Sequence, residues 1–403
     1  MLYSLLFDGN FVMEGRLPLY DVIVVGAGPA GLYAALLMAE EGLEVLVLEE
    51  HAEVGTPAHC TGIISEEAYS LYKIPEHAVL NRPSLCLVVS PRGTVYEFRS
   101  PGEQIVVLDR ATLDQALAAS AEEAGASILT GCPVVDIRVW PNLVEVSAGN
   151  GRRLVARAAV LACGVNYRFQ RRLGLGLPLR ALHTAQVELD AQPAEAVEVF
   201  VGRRVAPEGF AWLVPVQRQE RFRLKAGVLL RGDSKAHLQA LLARPSIARR
   251  LAEAPGEPIR RLLPLGPTLR SYGDRLLAVG DAAGFTKPLT GGGIFYSLLS
   301  AGFAAETLVE ALLADDLSAM RLSRYEERWR QRLMPEMHAG TWVRQLVTNL
   351  SDRELETFLA AVGSDGVKAV IRQSAKFNWH RSAIVAVLRQ PGIMSLFLRF
   401  LFR

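Results

Sequence analysis

The chain has 403 residues, half of them hydrophobic and 21% charged, which excludes disorder and allows a sizeable core. Lys and Arg number 44 against 42 Asp and Glu, a net charge of +2, so nucleic acid is not an expected partner. The length predicts two or three domains at roughly 150 residues each. Cys60, Cys86, Cys132 and Cys163 form no CxxC pair, which points to neither a disulfide framework nor a metal site.

The segment before Asp21 carries Asp8 and Glu14 and lacks a basic start followed by an apolar stretch, so no signal peptide is expected. No run of about 18 apolar residues occurs, so no transmembrane helix is expected either. A cytoplasmic setting follows. The clearest unit begins at Asp21: Val22–Val25 is a continuous apolar run, as in a parallel strand buried on both faces. Gly26-Ala27-Gly28-Pro29-Ala30-Gly31 then leads into an amphipathic helix through Glu41, stopped by Gly42. Val45–Leu48 is the next strand and ends at Glu49. Residues 84–98 read as a hairpin turning at Pro91-Arg92-Gly93, and 110–125 as a helix opened by Asp109 and closed by Gly125. Residues 133–163 read as a meander with turns at Asn142 and Gly149-Asn150-Gly151. Between 181 and 230 four strand-like runs predict a separate antiparallel sheet. Helical signals span 234–254, Leu276–Val279 returns to buried-strand character, and from about 295 the chain is mostly helical. This predicts an α/β body, a β-rich insertion and a helical C-terminal region.

Two turns carry chemistry. In the first, Gly26 permits the tight turn, Gly28 lets the backbone approach a pyrophosphate, and Gly31 lets helix pack on strand. The helix N-terminus faces the phosphate with partial positive charge. Glu49 is placed to accept hydrogen bonds from both ribose hydroxyls. The second runs from Gly280-Asp281 to Gly291-Gly292-Gly293-Ile294, again strand to glycines to helix. Its free N–H groups suit negative charge, and Asp281 suits a ribityl hydroxyl or a bridging water. Two nucleotides, or two ends of one long cofactor, both fit this pairing.

With Arg110 opening the middle helix, the paired turns resemble the para-hydroxybenzoate hydroxylase superfamily of FAD enzymes, and within it the geranylgeranyl reductase family. Three stretches carry the closer resemblance: Pro57-Ala58-His59-Cys60-Thr61-Gly62-Ile63-Ile64-Ser65 is similar to that family's cysteine loop, Pro207 to Pro215 to its PxxYxWxFP substrate motif, and Gly280 to Gly293 to its flavin loop. The resemblance covers residues 19 to about 315. Phe210 stands where Tyr is usual, Val214 where Phe is usual, and Lys287 where Asn is frequent. Ala162-Cys163-Gly164 replaces the Asp-Gly pair of the hydroxylases, which favours the reductase branch.

The resemblance implies an α/β fold: a Rossmann-type FAD-binding domain (19–83, 100–178 and 264–315), an inserted antiparallel β-sheet substrate domain (84–99 and 179–263) and a helical C-terminal region (316–403). It implies one FAD, with the electron donor open between NADPH, ferredoxin or another reductant. Gly26, Gly28, Pro29, Ala30, Gly31, Glu49, Glu50 and Val134 would hold the ADP half. Gly280, Asp281, Gly291, Gly292, Gly293 and Ile294 would hold the flavin half, with Arg110 and Cys60 touching the cofactor. Phe210, Trp212, Pro215 and Pro288 would contact substrate. The implied reaction is saturation of isolated C=C bonds in a polyprenyl chain by hydride from reduced flavin and a proton, with Cys60 and His59 as candidate relay residues. The aromatic pair Phe210 and Trp212 suits developing positive charge, worth roughly 0.5–2 kcal/mol. Cys86, Cys132 and Cys163 are expected in the core.

The competing reading is a flavin monooxygenase or halogenase of the same superfamily acting on a hydrophobic substrate. Phe210-x-Trp212-x-x-Pro215 resembles the halogenase WxWxIP motif without its first Trp, and the one lysine before residue 225 is Lys73. Residues 366–403 contain seven Lys and Arg and no acid. Their basic and apolar residues alternate as in a segment lying on an anionic bilayer, which predicts peripheral contact with the inner face of the membrane. Docking on the protein's own body is the other reading of that tail.

Overall fold

The computed structural model describes residues 19–99 and 105–401, the side chains of 397–401 excepted. The readings for Asp8 and Glu14, and for the tail side chains from Phe397 to Arg403, lie outside the described residues. Strand Leu19–Val25 and helix Pro29–Glu40 form as expected. Pro29 occupies the first helical position, where a missing N–H costs nothing, and Gly42 ends the helix at φ +79°.

Five parallel strands make the main sheet, in the order Leu276–Ala278, Arg153–Leu161, Leu19–Val25, Val45–Leu48, Ser127–Leu129. Val134–Val139 and Val144–Ala148 fold back on Arg153–Leu161 as the expected meander. The long β11-type strand Arg153–Leu161 thus serves two neighbours at once, one parallel and one antiparallel. Helix Arg110–Glu123 opens on Asp109, whose carboxylate accepts from the Ala111 N–H.

The second sheet has seven strands: Ile259–Pro264, Ala181–Asp190, Arg221–Leu230, Phe210–Arg218, Ala196–Val201, Leu85–Val89 and Val95–Arg99. All pairs are antiparallel except one: Leu85–Val89 joins Ala196–Val201 in parallel. A parallel join needs a long crossover, and more than a hundred residues separate these two strands. A third sheet, Ile63–Ser65, Ile105–Leu108 and Val79–Asn81, has no counterpart in the sequence reading. Its strands are three or four residues long, too short for a period to register. It sits at the joint of the larger sheets, where Asn81 Nδ2 donates to the Pro215 carbonyl at 2.8 Å.

The helical signal at 234–254 resolves into Ser234–Leu242 and Pro245–Ala248; Pro245 restarts the helix, and Leu251 pairs with Ala191 instead. Helix Ile294–Leu313 is long and apolar enough to cross a membrane by length and composition, contrary to the expectation of no such segment. It packs on helix Pro29–Glu40, and 61% of its apolar window is buried within the molecule. The long helix Ala319–Asn349 belongs to the same core. Tyr325 and Trp329 are fully buried, Tyr325 Oη donates to the Ala278 carbonyl at 2.8 Å, and Trp329 Nε1 to Ser271 Oγ at 2.8 Å.

Candidate active site

A cavity of about 960 Å³ opens where the first glycine turn, the second glycine turn and one face of the seven-stranded sheet converge. Its size is at the upper end of ligand pockets, roughly 300–1,000 Å³. It is lined by Gly26, Gly28, Pro29, Ala30, Glu49, Glu50 and Val134 on one side, and by Asp281, Gly291, Gly292, Gly293 and Ile294 on another. Gly26 has φ +110°, and a Cβ there would meet the Ala162 carbonyl oxygen at 2.5 Å. Gly31 does not line the cavity: a Cβ there would lie 2.1 Å from the Gly26 carbonyl oxygen, so its glycine serves helix–strand packing. Gly28 has an ordinary φ of −82°, and a Cβ there would meet no atom within 4 Å. Nothing in the protein requires glycine at 28, and the open space beside it lies in the cavity. That is the cradle expected for a pyrophosphate, so the residues present fit the ADP half of FAD. Glu49 is held for such a ligand: its Oε2 accepts from the Ala27 N–H at 2.8 Å and its Oε1 from the His51 N–H at 3.0 Å.

The second turn is fixed from outside the cavity. Tyr167 Oη donates to the Asp281 carbonyl at 2.7 Å and Gln170 Nε2 to the Ala282 carbonyl at 3.2 Å. Gly280 takes φ +59° and lies outside the cavity lining, against Ala30 and Ser297. Burial pushes the Asp281 carboxyl up to about 6, with Arg110 opposing. Helix Ile294–Leu313 starts immediately after Gly293 with no side-chain cap, so its first N–H groups face the cavity. Lys287 is buried, and its Nζ donates to the Phe377 carbonyl and to Asn378 Oδ1, each at 2.9 Å. Asn378 Nδ2 in turn donates to Ser65 Oγ and Glu67 Oε2, and Trp379 Nε1 to Glu67 Oε1. The chain near 378 is therefore strapped over the flavin-type loop, and Phe377 joins the cavity wall.

Cys60 and His59 both reach the cavity. The Cys60 thiol lies against the Arg110 guanidinium, which also grips Asp114 at 2.9 Å. Desolvation, aided by Arg261, Arg110 and His51 and opposed by the Pro57 carbonyl, holds the His59 imidazole below its ordinary range. Phe210 and Trp212 stand two residues apart on one strand face, with ring centroids 5.8 Å apart, and both line the cavity. Trp212 lies over Gly227 of the neighbouring strand, where a Cβ would meet its ring at 2.2 Å. Pro215 and Pro288 are not brought to the cavity. Pro215 falls on the opposite strand face from Phe210 and Trp212 by the two-residue period, and Pro288 packs toward Gly340 of the long helix. Cys86 and Cys163 are half-buried and line the cavity instead of the core, because their strand and loop end at its edge. Burial pushes each thiol up to about 11.

Sequence reasoning missed three polar groups. Lys225 is buried, and its Nζ donates to the Thr61 carbonyl at 2.9 Å and the Leu108 carbonyl at 3.0 Å, which fixes the cysteine loop. Gln186 Oε1 accepts from Thr61 Oγ1 at 2.6 Å in the same place. Arg344 lines the cavity from the long helix. The signal for Lys225 was present: one cation inside the apolar run Leu224 to Leu230.

The family described as lycopene cyclase protein matches residues 21–358. Digeranylgeranylglycerophospholipid reductase 1 of Methanopyrus kandleri is 33% identical over 88% of this chain and 97% of its own. The chain belongs to the geranylgeranyl reductase family of FAD-dependent oxidoreductases. A geranylgeranyl bacteriochlorophyll reductase-like protein from Thermoplasma acidophilum shares the fold with a TM-score of 0.81, at 21% identity over 94% of this chain and 99% of that one. Halogenase PltM, solved with FAD, superposes less closely, with a TM-score of 0.66 at 18% identity over 94% of this chain and 88% of its own. The family's reductase branch, not its halogenase relatives, agrees with the cavity wall, where no lysine is present among the described residues.

Proposed function

We propose that this chain is an FAD-dependent reductase that saturates C=C bonds of a polyprenyl chain. The observation that carries the reading is the shared cavity: two glycine turns suited to the two halves of one cofactor open onto a wall bearing Phe210 and Trp212. Bound FAD, once reduced, would supply the hydride. Gly26, Gly28 and Glu49 would hold the adenosine and pyrophosphate end, with Pro29, Ala30, Glu50 and Val134 beside them. Asp281, Gly291, Gly292 and Gly293 would orient the ring end, and the N–H groups opening helix Ile294–Leu313 would favour negative charge there. His59 is neutral near pH 7, which leaves the Cys60 thiol, braced by Arg110, as the proton donor beside the alkene. Phe210 and Trp212 would exclude water and attract the positive charge that grows as an unactivated alkene is protonated.

The test is anaerobic. The photoreduced holoenzyme is mixed with a geranylgeranyl lipid without oxygen. Flavin absorbance should return in step with formation of a product two hydrogens heavier per bond reduced. A flavin that stays reduced until oxygen is admitted would replace this reading with the monooxygenase one. The basic tail supports a second element of the proposal, peripheral contact with an anionic membrane surface, where a lipid substrate resides.

A further inference from the structure

Arg344 is unlike the other deeply placed arginines of this protein. Arg110 pairs with Asp114, Arg218 with Glu188 and Asp109, and Arg328 with Glu310. Arg344 is 9% exposed and pairs with no carboxylate among the described residues. Its Nη1 reaches only the Leu289 carbonyl at 3.4 Å, and its Nη2 the Glu208 carbonyl at 3.1 Å. Burial pulls the guanidinium down to about 10, with Glu208 opposing weakly from a distance. A buried cation without a counter-ion is costly, and carbonyl oxygens compensate only part of that cost. Arg344 nevertheless faces the cavity, so an anion entering the cavity can supply what the protein does not.

The surroundings define what kind of anion. From Arg344 a branch of the cavity passes between the end of the long helix and loop 202–209, with apolar walls at Val201, Val347, Leu350 and Leu355. Arg203 stands exposed on that loop and is held there by three bonds. Its N–H donates to Asp352 Oδ1 at 2.9 Å, and its side chain donates to the carbonyls of Leu350 and Asn349. Asp352, the one acid at this branch wall besides Glu208, is engaged by that bond. The branch therefore offers one cation within and one at the rim, joined by apolar surface. Glu208, whose carbonyl holds Arg344, is two residues from Phe210, so a group fixed at Arg344 would set how far along the aromatic wall an attached chain extends.

We propose that Arg344, seconded by Arg203, binds the anionic phosphoryl head of the polyprenyl substrate and thereby fixes which double bonds reach the reaction centre. The proposal rests on the reductase reading above and adds the residue that reads the head group. A guanidinium matches a phosphoryl group with paired N–H donors, and each factor of ten in affinity corresponds to about 1.4 kcal/mol.

The experiment titrates oxidised holoenzyme, through the perturbation of its flavin absorbance, with three probes: geranylgeranyl diphosphate, a digeranylgeranyl glycerophosphate ether lipid, and uncharged geranylgeraniol. Arg344→Met should weaken at least one phosphorylated probe about tenfold or more and leave geranylgeraniol within about threefold. Loss with the diphosphate alone identifies a free isoprenyl diphosphate as the ligand, and loss with the ether lipid alone identifies a lipid head group. Arg344→Lys should recover part of the loss, and Arg203→Gln, on an exposed side chain, should weaken the same probe about two- to fivefold. An equal loss for all three probes in Arg344→Met, or no loss for any, overturns the proposal and leaves Arg344 a brace between Glu208 and Leu289. Wild type that binds none of the three would overturn the reductase reading as well, an outcome distinct from wild type that binds all three without discrimination by Arg344.

Discussion

Gly28 and Gly31 belong to one turn and are glycines for different reasons. At Gly31 the obstacle is the protein itself, a backbone oxygen 2.1 Å from where a Cβ would sit. Backbone cannot rotate away as a side chain can, so Gly31→Ala should destabilise the apoprotein by about 1–3 kcal/mol or more. At Gly28 the protein offers no obstacle. Gly28→Ala should change apoprotein stability by less than about 1 kcal/mol, the scale of an N-cap effect. It should nevertheless weaken FAD binding about tenfold or more, because the methyl occupies the space kept for the pyrophosphate. Thermal unfolding of the apoprotein and quenching of FAD fluorescence separate the two effects. Wild-type FAD affinity in Gly28→Ala would remove the pyrophosphate from this turn. A sequence motif states both glycines alike; only the packing shows which one answers to the fold and which to the ligand.

At the level of elements, legibility followed length and continuity. Val22–Val25, Val45–Leu48 and the meander at 133–163 were plain because apolar runs and Gly-Asn turns bound them. The small sheet of Ile63–Ser65, Val79–Asn81 and Ile105–Leu108 was not, because its partners are far apart in sequence and it exists only as the joint between larger sheets. The parallel join of Leu85–Val89 to Ala196–Val201 was hidden for the same reason. At the site, the glycine turns, Glu49 and the aromatic pair were legible, whereas Lys225 and Arg344 acquire meaning only from what the fold sets against them.

Lys225 ties strand Arg221–Leu230 to the cysteine loop and to strand Ile105–Leu108, and its burial has a measurable signature. Desolvation lowers its ammonium from 10.5 to about 8, opposed by Glu188, Cys60 and Asp109 and aided by Arg218. Between those two values the unfolded chain holds the proton and the folded chain does not, so stability contributed by this group rises with pH across that window. At about 1.4 kcal/mol per pK unit, the unfolding free energy of wild type should gain about 2–3 kcal/mol on Lys225→Met between pH 7.5 and 10.5. Denaturant titrations of both proteins along that pH series measure it. A constant difference between them would mean that the ammonium keeps its proton throughout, sheltered by its two carbonyl partners.

Considered as a whole, the molecule is nearly neutral, yet its charge is unevenly placed. After Asp365 no acid follows, while Arg372, Lys376, Arg381 and Arg389 are exposed. The segment is not a loose arm. Asn378 and Trp379 are bonded to Ser65 and Glu67, and Ile393 is buried against Val367. Both readings of the tail thus have support in one arrangement: apolar anchors turned inward, cations turned outward. Trp342, Val385 and Met394 add exposed apolar surface in the same region. Deleting residues 391–403 would strip Ile393 from its packing and so mixes membrane binding with stability. Reversing the exposed charges does not, so Arg372→Glu, Lys376→Glu and Arg389→Glu together give the cleaner variant. Each cation near an anionic bilayer is worth about 1 kcal/mol, so the triple variant should lower partitioning into anionic vesicles by about a hundredfold or more. The loss should shrink with added salt as the Debye length falls to about 8 Å near 0.15 M ionic strength. Turnover of a short, detergent-solubilised geranylgeranyl substrate should be unaffected, because none of the three residues lines the cavity. Sedimentation with vesicles of graded anionic content reads the effect directly, and wild type that partitions equally into neutral and anionic vesicles would confine the tail to its role as a strap across the flavin-type loop.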